Sequence, residues 1–410
     1  MKKFAFLFFI AALSIISLVG MANAETQKTD ANNAYFTDIS GHWAEEAINK
    51  AVKAGYVGGY PDGTFKPDQE VSRAEFTKML TTALGLKSVS GASGAWYQEA
   101  VNAATEAGIY ADDFKTGTWD TKMPRKEMML LSVRAAITGY KQEYDMNRNL
   151  YEGAKAGLIM GTSPGNIDPD GTTTRAQAVV VIERVLAVKR GETLPSDKYA
   201  VSAAEILWHK TNIFTALPRY FNGDPSGFRS DLMKVQSPNG KVVCETEALV
   251  VVNLSDPKDP FRKYIPDNAR WGEWANGGMV NHKLGNEGYA ILSLNRMVIE
   301  EMPAGFNSLL RCGVSVSNED LSDLPRNVQL GKVDGIYPIY QIDEKTDTVS
   351  SMIRPEANGK ADVKYVTGRI IPNGDFSSDK KFRAVMIGLG DWNQNDSNLY
   401  SSSIDEKYHQ

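Results

Sequence analysis

Histidine and cysteine are the scarce residues of this 410-residue chain: four histidines (His42, His209, His282 and His409) and two cysteines (Cys244 and Cys312). No H-E-x-x-H run joins any of the histidines, which excludes the usual zinc-hydrolase pattern. A G-x-S-x-G nucleophile elbow and a G-x-x-x-x-G-K-[ST] phosphate loop are also missing, so neither an acyl-transfer site nor a nucleotide site is written in a short motif. Positive charge is not in excess either: the formal net charge is −5, which argues against bulk-charge binding to nucleic acid or other polyanions. An anionic ligand would have to be caught in a local pocket. After the N-terminus no segment is apolar enough to cross a bilayer.

The first 24 residues read as a signal peptide. Lys2 and Lys3 give a basic start, Phe4 to Met21 is apolar, and Ala22-Asn23-Ala24 is an A-x-A cleavage site. An uncleaved anchor is the alternative, but the cleavage site and the lack of a stop-transfer pattern favour secretion. Cleavage removes two lysines and takes the formal charge to −7. Secretion permits a Cys244–Cys312 bridge; two buried thiols are the other reading.

Residues 36–80 carry two helical patterns around a turn-rich loop. Ala44, Ala47, Ile48, Ala51 and Val52 recur at helical spacing, as do Phe76, Met79, Leu80 and Leu84. Between them Gly58-Gly59-Tyr60-Pro61-Asp62-Gly63 is loop, and Ser72-Arg73-Ala74-Glu75 has the form of a capping box. Arg73 then opens a helix beside free backbone N–H groups, a corner that attracts an anion. The pattern returns twice. The helix-ending Gly55 recurs as Gly108 and Gly157, 53 and 49 residues on, and Arg73, Arg125 and Arg175 follow them at 18, 17 and 18 residues. Trp43 and Trp96 each precede their glycine by 12 residues; the third equivalent is Asp145. The third unit keeps a box at Thr174-Arg175-Ala176-Gln177. The second has Pro124 at the cap, which supplies no side-chain acceptor.

These units resemble S-layer homology (SLH) modules. Unit one carries Phe36, Asp38, His42, Trp43, the loop residues Gly59, Tyr60, Asp62, Gly63, Thr64 and Phe65, and Ser72 to Glu75, with serine in place of threonine. The resemblance places module 1 at 35–87, a degenerate module 2 at 95–139 and module 3 at 140–190, less than half of the precursor. It implies a multidomain chain that begins with an all-α SLH triplet, a pseudo-threefold helix–loop–helix bundle. Such triplets anchor secreted proteins noncovalently to secondary cell-wall polysaccharide, often through a pyruvate ketal. The residues suit that ligand. An arginine fork binds a carboxylate bidentately, tryptophan offers a flat face to a sugar ring, and Asp38 can accept from sugar hydroxyls. Ligand-binding candidates are therefore Arg73, Arg175, Arg125, Trp43, Asp38 and Trp96, with Arg73 first. Each has a plainer role to set beside this: a salt bridge between units for Arg73, core packing for the tryptophans. His42 is read as structural and Asp62-Gly63 as turn chemistry.

Residues 191–199 read as a linker, and 200–410 as a mainly-β domain, a β-sandwich or jelly roll of no recognised family. Expected strands are Lys241–Leu254, Gly288–Glu300, Ser308–Val316, Val333–Asp343, Asp362–Ile371 and Phe382–Leu389. Glu245 and Glu247 share a strand face, read as solvated. The stretch from Asp391 to Asn395 is a polar turn, since Asp396 and Ser402 break the calcium-loop pattern. Trp271 and Trp274, in a Gly-rich loop, form either a sugar platform or a plug of the core, the plug being favoured. The reading is a secreted cell-wall or S-layer protein without cofactor, metal or catalytic residues, whose partner is the wall polysaccharide, with lattice or other surface-protein contacts left open. The alternative is an SLH-anchored extracellular carbohydrate-active enzyme with its site in the C-terminal domain. The lack of regular amphipathic strands argues against a large porin tethered to the envelope.

Overall fold

The computed structural model describes residues 36–88, 94–140, 145–221, 225–237, 239–275, 277–301, 313–318, 337–343, 348–349, 360–373, 382–387 and 397–402. The signal segment, Cys312, the 391–395 turn and the side chain of Trp274 lie outside the described residues. Helices make up the N-terminal part, and the C-terminal part is mainly β.

Each of the three repeated units contributes a helix pair: α1 (Glu45–Lys53) and α2 (Arg73–Ala83), α3 (Gln98–Glu106) and α4 (Arg125–Ala136), α5 (Met146–Lys155) and α6 (Arg175–Lys189). Gly55, Gly108 and Gly157 follow the first helix of each pair at φ +77°, +71° and +71°, a left-handed conformation that side chains other than glycine's resist. Both expected capping boxes form. Ser72 N–H donates to Glu75 Oε2 at 2.7 Å while Glu75 N–H donates to Ser72 Oγ at 3.2 Å; Thr174 and Gln177 repeat the exchange. Proline has no N–H, so Glu127, which holds the same place in unit two, cannot close a box on Pro124.

The units interlock in a ring. Val71 N–H donates to Thr173 O, Thr173 N–H to Met123 O, and Met123 N–H to Val71 O, each at 2.9 Å, and all three residues are fully buried. Helix contacts follow the same order, with α3 against α2, α5 against α4, and α1 against α6. Their apolar faces share one core that includes Ile48, Phe76, Leu80, Met128, Leu150 and Ile182.

Helix α7 (Lys198–His209) then crosses the boundary that the sequence places at residue 200. Ala200, Val201 and Ala204 enter the core of the bundle, whereas Tyr199, Ala203 and Ile206 pack on the β part. Two short helices, α8 (Ile213–Ala216) and α9 (Pro218–Phe221), lead into the strands. The latter are β1 (Lys234–Gln236), β2 (Val242–Asn253), β3 (Ala269–Ala275), β4 (Gly278–Lys283), β5 (Tyr289–Ile299), β6 (Gly313–Asn318), β7 (Tyr337–Asp343), β8 (Thr348–Val349), β9 (Ala361–Ile371), β10 (Phe382–Ile387) and β11 (Ser397–Ser402). One sheet runs β1-β2-β5-β9-β7-β3-β4 with β8 on β7, the other β11-β10-β6, and every pairing is antiparallel. Each of the six expected strands overlaps an observed one, while their portions at 308–312, 333–336 and 388–389 lie outside the described residues. Val314 and Val316 of β6 pack on Val251, Ile291, Met297 and Ile371 of the larger sheet. Its opposite face (Val250, Val252, Leu292 and Ile370) is covered by Phe261 and by α7. Burial on both faces explains the unbroken apolar run from Ala248 to Val252. Cys244 lies on the buried face and is disulfide-bonded.

The stretch Arg270–Gly278 is not the Gly-rich loop expected from the sequence. Arg270-Trp271-Gly272-Glu273-Trp274 alternates as strand β3, which turns into β4 in register Trp271↔His282. Trp271 is 2% exposed, stacked on His282 at 4.5 Å between ring centroids and beside Tyr337 at 5.0 Å. Trp271 thus packs in the core of the β part.

Candidate functional site

The three helix-opening arginines sit at equivalent junctions, and each reaches into the loop of another unit. Arg73 N–H donates to Thr121 O at 3.0 Å, Arg125 N–H to Gly171 O at 2.9 Å, and Arg175 N–H to Gln69 O at 2.8 Å. Their guanidinium groups differ in what they meet.

Arg73, 3% exposed, is held on all sides. Its Nε and Nη2 donate to the two oxygens of Glu127 at 2.7 and 2.6 Å, and Nη1 donates to Thr116 O at 2.5 Å and Thr118 O at 3.3 Å. The Phe114 ring lies 4.6 Å from Cζ. The carboxylate freed by Pro124 thus neutralises the arginine that the sequence ranks first for ligand capture. Arg125 is also buried; Nε donates to Ile167 O at 3.0 Å and Nη2 to Met160 O at 2.9 Å. Burial lowers the pKa of Arg125, opposed by the nearby charge of Asp168.

Arg175 is the exception. It is half-buried, donates from Nε to Phe65 O and from Nη2 to Gly58 O, both at 2.9 Å, and lies over the Phe65 and Tyr60 rings at 4.5 and 5.0 Å. No carboxylate pairs with it and Nη1 makes no hydrogen bond among the described residues. The two carbonyls and two rings fix the plane of the guanidinium and leave one edge uncommitted.

Asp38 is engaged elsewhere than the sugar contact expected of it. Its carboxylate accepts the backbone N–H of Phe65 at 2.8 Å and of Lys66 at 2.7 Å, tying the start of unit one to its loop. Burial pushes its pKa up, but these backbone hydrogen bonds outweigh that and hold it below the ordinary carboxylate value. The same loop needs Gly59, since a Cβ there would stand 1.9 Å from the Phe36 ring. His42 accepts from Ala44 N–H at 3.2 Å, in keeping with a structural role at the start of α1.

Trp43 and Trp96 are 65% and 56% exposed, the largest open aromatic faces among the described residues. Trp43 lies beside His42 with ring centroids 5.4 Å apart, and Lys78 approaches the Trp96 ring to 5.2 Å. In unit three Asp145 occupies the equivalent place and caps α5 by accepting from Asn147 and Arg148 N–H, both at 3.0 Å. In the β part, Glu245 and Glu247 share a face as expected and are ion-paired with Lys210 at 3.3 Å and Lys364 at 2.7 Å. One pair went unforeseen: Glu273, buried, meets His282 Nε2 at 2.6 Å on the edge hairpin. A strand alternation through Trp271 and Glu273 was the available signal.

Among the described residues no helix is long and apolar enough to cross a membrane. The S-layer homology domain matches residues 35–77 and 144–179, the two units with intact capping boxes. The chain is similar to an amylopullulanase of Thermoanaerobacterium thermosulfurigenes, 33% identical over 174 residues, which is 37% of this chain and 9% of that protein. It is similar to the surface-layer 125 kDa protein of Lysinibacillus sphaericus, 28% identical over 197 residues, 43% of this chain and 16% of that one. Cell surface glycoprotein 1 of Acetivibrio thermocellus is 44% identical over 63 residues, 15% and 3% of the respective chains. These three matches span less than a fifth of each relative, and matches to glycan-degrading enzymes fall on the repeated region alone. Such domains bind cell-wall polysaccharide and mark proteins of the cell surface. This secreted cell-surface protein carries S-layer homology domains at residues 35–77 and 144–179.

Proposed function

We propose that the three units form a pseudo-threefold bundle that anchors the protein noncovalently to secondary cell-wall polysaccharide, with a pyruvate-ketal carboxylate captured at Arg175. The observation that carries this reading is the uncommitted edge of the Arg175 guanidinium, next to the capped N-terminus of α6. The open faces of Trp43 and Trp96 supply stacking surfaces for sugar rings. On this reading Arg73 and Arg125 hold the units together, and Arg175 takes the first place that Arg73 holds in the ranking from the sequence. The displayed C-terminal domain is a β-sandwich of structural or adhesive role, open to lattice or other surface-protein contacts. We assign it no catalysis: its paired carboxylates Glu245 and Glu247 are each held by a lysine on a strand face.

The test is binding of the mature chain to isolated wall polysaccharide before and after removal of its pyruvate. Arg175→Ala is expected to weaken binding about tenfold to a hundredfold, the worth of a charge-assisted hydrogen-bonded pair. Equal binding to native and depyruvylated polymer would overturn carboxylate capture.

A further inference from the structure

The second helices of units two and three each carry another arginine nine residues after the one that opens them: Arg134 in α4 and Arg184 in α6. The loops of the units are equivalent as well. Arg125 Nη2 donates to Met160 O and Arg175 Nη2 to Gly58 O, carbonyls three residues after Gly157 and Gly55. Five residues after the corresponding glycines stand Tyr60, Asp113 and Thr162.

In unit two that fifth residue closes the arginine. Arg134 Nη1 and Nη2 donate to the two oxygens of Asp113 at 2.5 and 3.0 Å, and Nη1 also donates to Ile109 O at 3.2 Å. Both side chains are buried. Unit one has neither member, with Thr82 and Tyr60 in their places. Unit three has lost the acid alone. Its Thr162 is exposed and donates to Asn166 O, from N–H at 2.9 Å and from Oγ1 at 3.3 Å. Arg184 is half-buried, yet it makes no hydrogen bond or ion pair among the described residues.

Acids close by in the chain serve other groups. Glu183 accepts from the Tyr56 hydroxyl at 2.8 Å, and Glu192 pairs with Arg190 at 2.8 Å. Asp197 caps α7 and accepts from Gly161 N–H at 3.3 Å. Burial lowers the Arg184 pKa and no carboxylate opposes it, whereas Asp168 supports Arg125. A partly desolvated cation without a counter-ion is unfavourable. A carboxylate standing where Asp113 stands in unit two would relieve it.

We propose that Arg184 binds a small organic carboxylate, which meets its two terminal nitrogens beside residues 158–162 as Asp113 meets Arg134. The site lies about 14 Å along α6 from Arg175 and does not depend on the anchoring role proposed above.

The test is proton–nitrogen NMR of the arginine Nε–H resonances of the mature chain in mildly acidic buffer. Sodium acetate is titrated against sodium chloride at equal ionic strength, and Arg184→Met identifies the Arg184 resonance by its loss. That resonance is expected to shift saturably with acetate and not with chloride, while the resonance of Arg134 stays in place. Thr162→Asp supplies the missing acid and should weaken acetate binding at least about tenfold, whereas Arg175→Ala leaves it unchanged. Thr162 is exposed, so its variant keeps the fold. Equal, unsaturating shifts in acetate and chloride would overturn the site. Undiminished acetate binding in Thr162→Asp would overturn the match to Asp113, and loss of the shift in Arg175→Ala would move the ligand to Arg175.

Discussion

Glu127 stands where Glu75 and Gln177 stand in the other units, three residues into a helix, yet it serves a different partner. Without an N–H on Pro124 to return to, its carboxylate forms a buried two-point pair with Arg73 across the unit boundary. Removing one member of a buried pair leaves the other charge stranded, which costs about 3–5 kcal/mol. Glu127→Gln is therefore expected to lower stability by roughly 3 kcal/mol in urea unfolding, and Arg73→Met combined with Glu127→Met should recover most of it. A loss below about 1 kcal/mol in Glu127→Gln would mean that the carbonyls of Thr116 and Thr118 hold Arg73 unaided. The site was legible only in part for this reason. Spacing located all three arginines and both capping boxes, because these depend on neighbours a few residues away. The fate of each guanidinium depends on a residue 54 positions off for Arg73 and 110 for Arg175, and a repeat reveals equivalence without revealing such partners.

At the scale of elements, the long strands β2, β5 and β9 could be read from the sequence because β-branched runs between turn residues leave few other outcomes. Helix α7 escaped for an opposite reason. Helices show themselves by one apolar stripe, and α7 has two, one for the bundle and one for the sheet, so the polar positions that would betray the period are few. Asp197 marks its start by accepting from Tyr199 and Ala200 N–H. A fragment of residues 25–190, the natural cut from the sequence, would strip Ala200, Val201 and Ala204 from the bundle and bare the flank of α5. It is expected to be less stable than residues 25–210 by roughly 2 kcal/mol or more, from the apolar area exposed. Coincident urea midpoints for the two fragments would show that α7 belongs to the β part alone.

For the whole molecule, α7 decides how the anchor and the displayed domain move. A flexible tether would let the β part swing freely, but here the connecting helix is a shared wall. It packs on α5 through Tyr151 and Trp208, whose rings lie 5.2 Å apart, and on the sheet through Tyr199 and Phe261 at 6.2 Å. A protein fixed to a wall through its N-terminal ring would then present its sheets at a set angle to the surface, as a lattice or an ordered adhesive coat requires. Shared core also couples stability, since losing either side exposes apolar surface of the other. In urea, amide exchange in α6 and in β5 is expected to report one common midpoint. Ala204→Asp places an unpaired carboxylate in that wall, at several kcal/mol, and should split the transition so that the sheet opens at lower urea than the ring. Two separate midpoints in the unaltered protein would instead make α7 a passive spacer and leave the orientation of the displayed domain free.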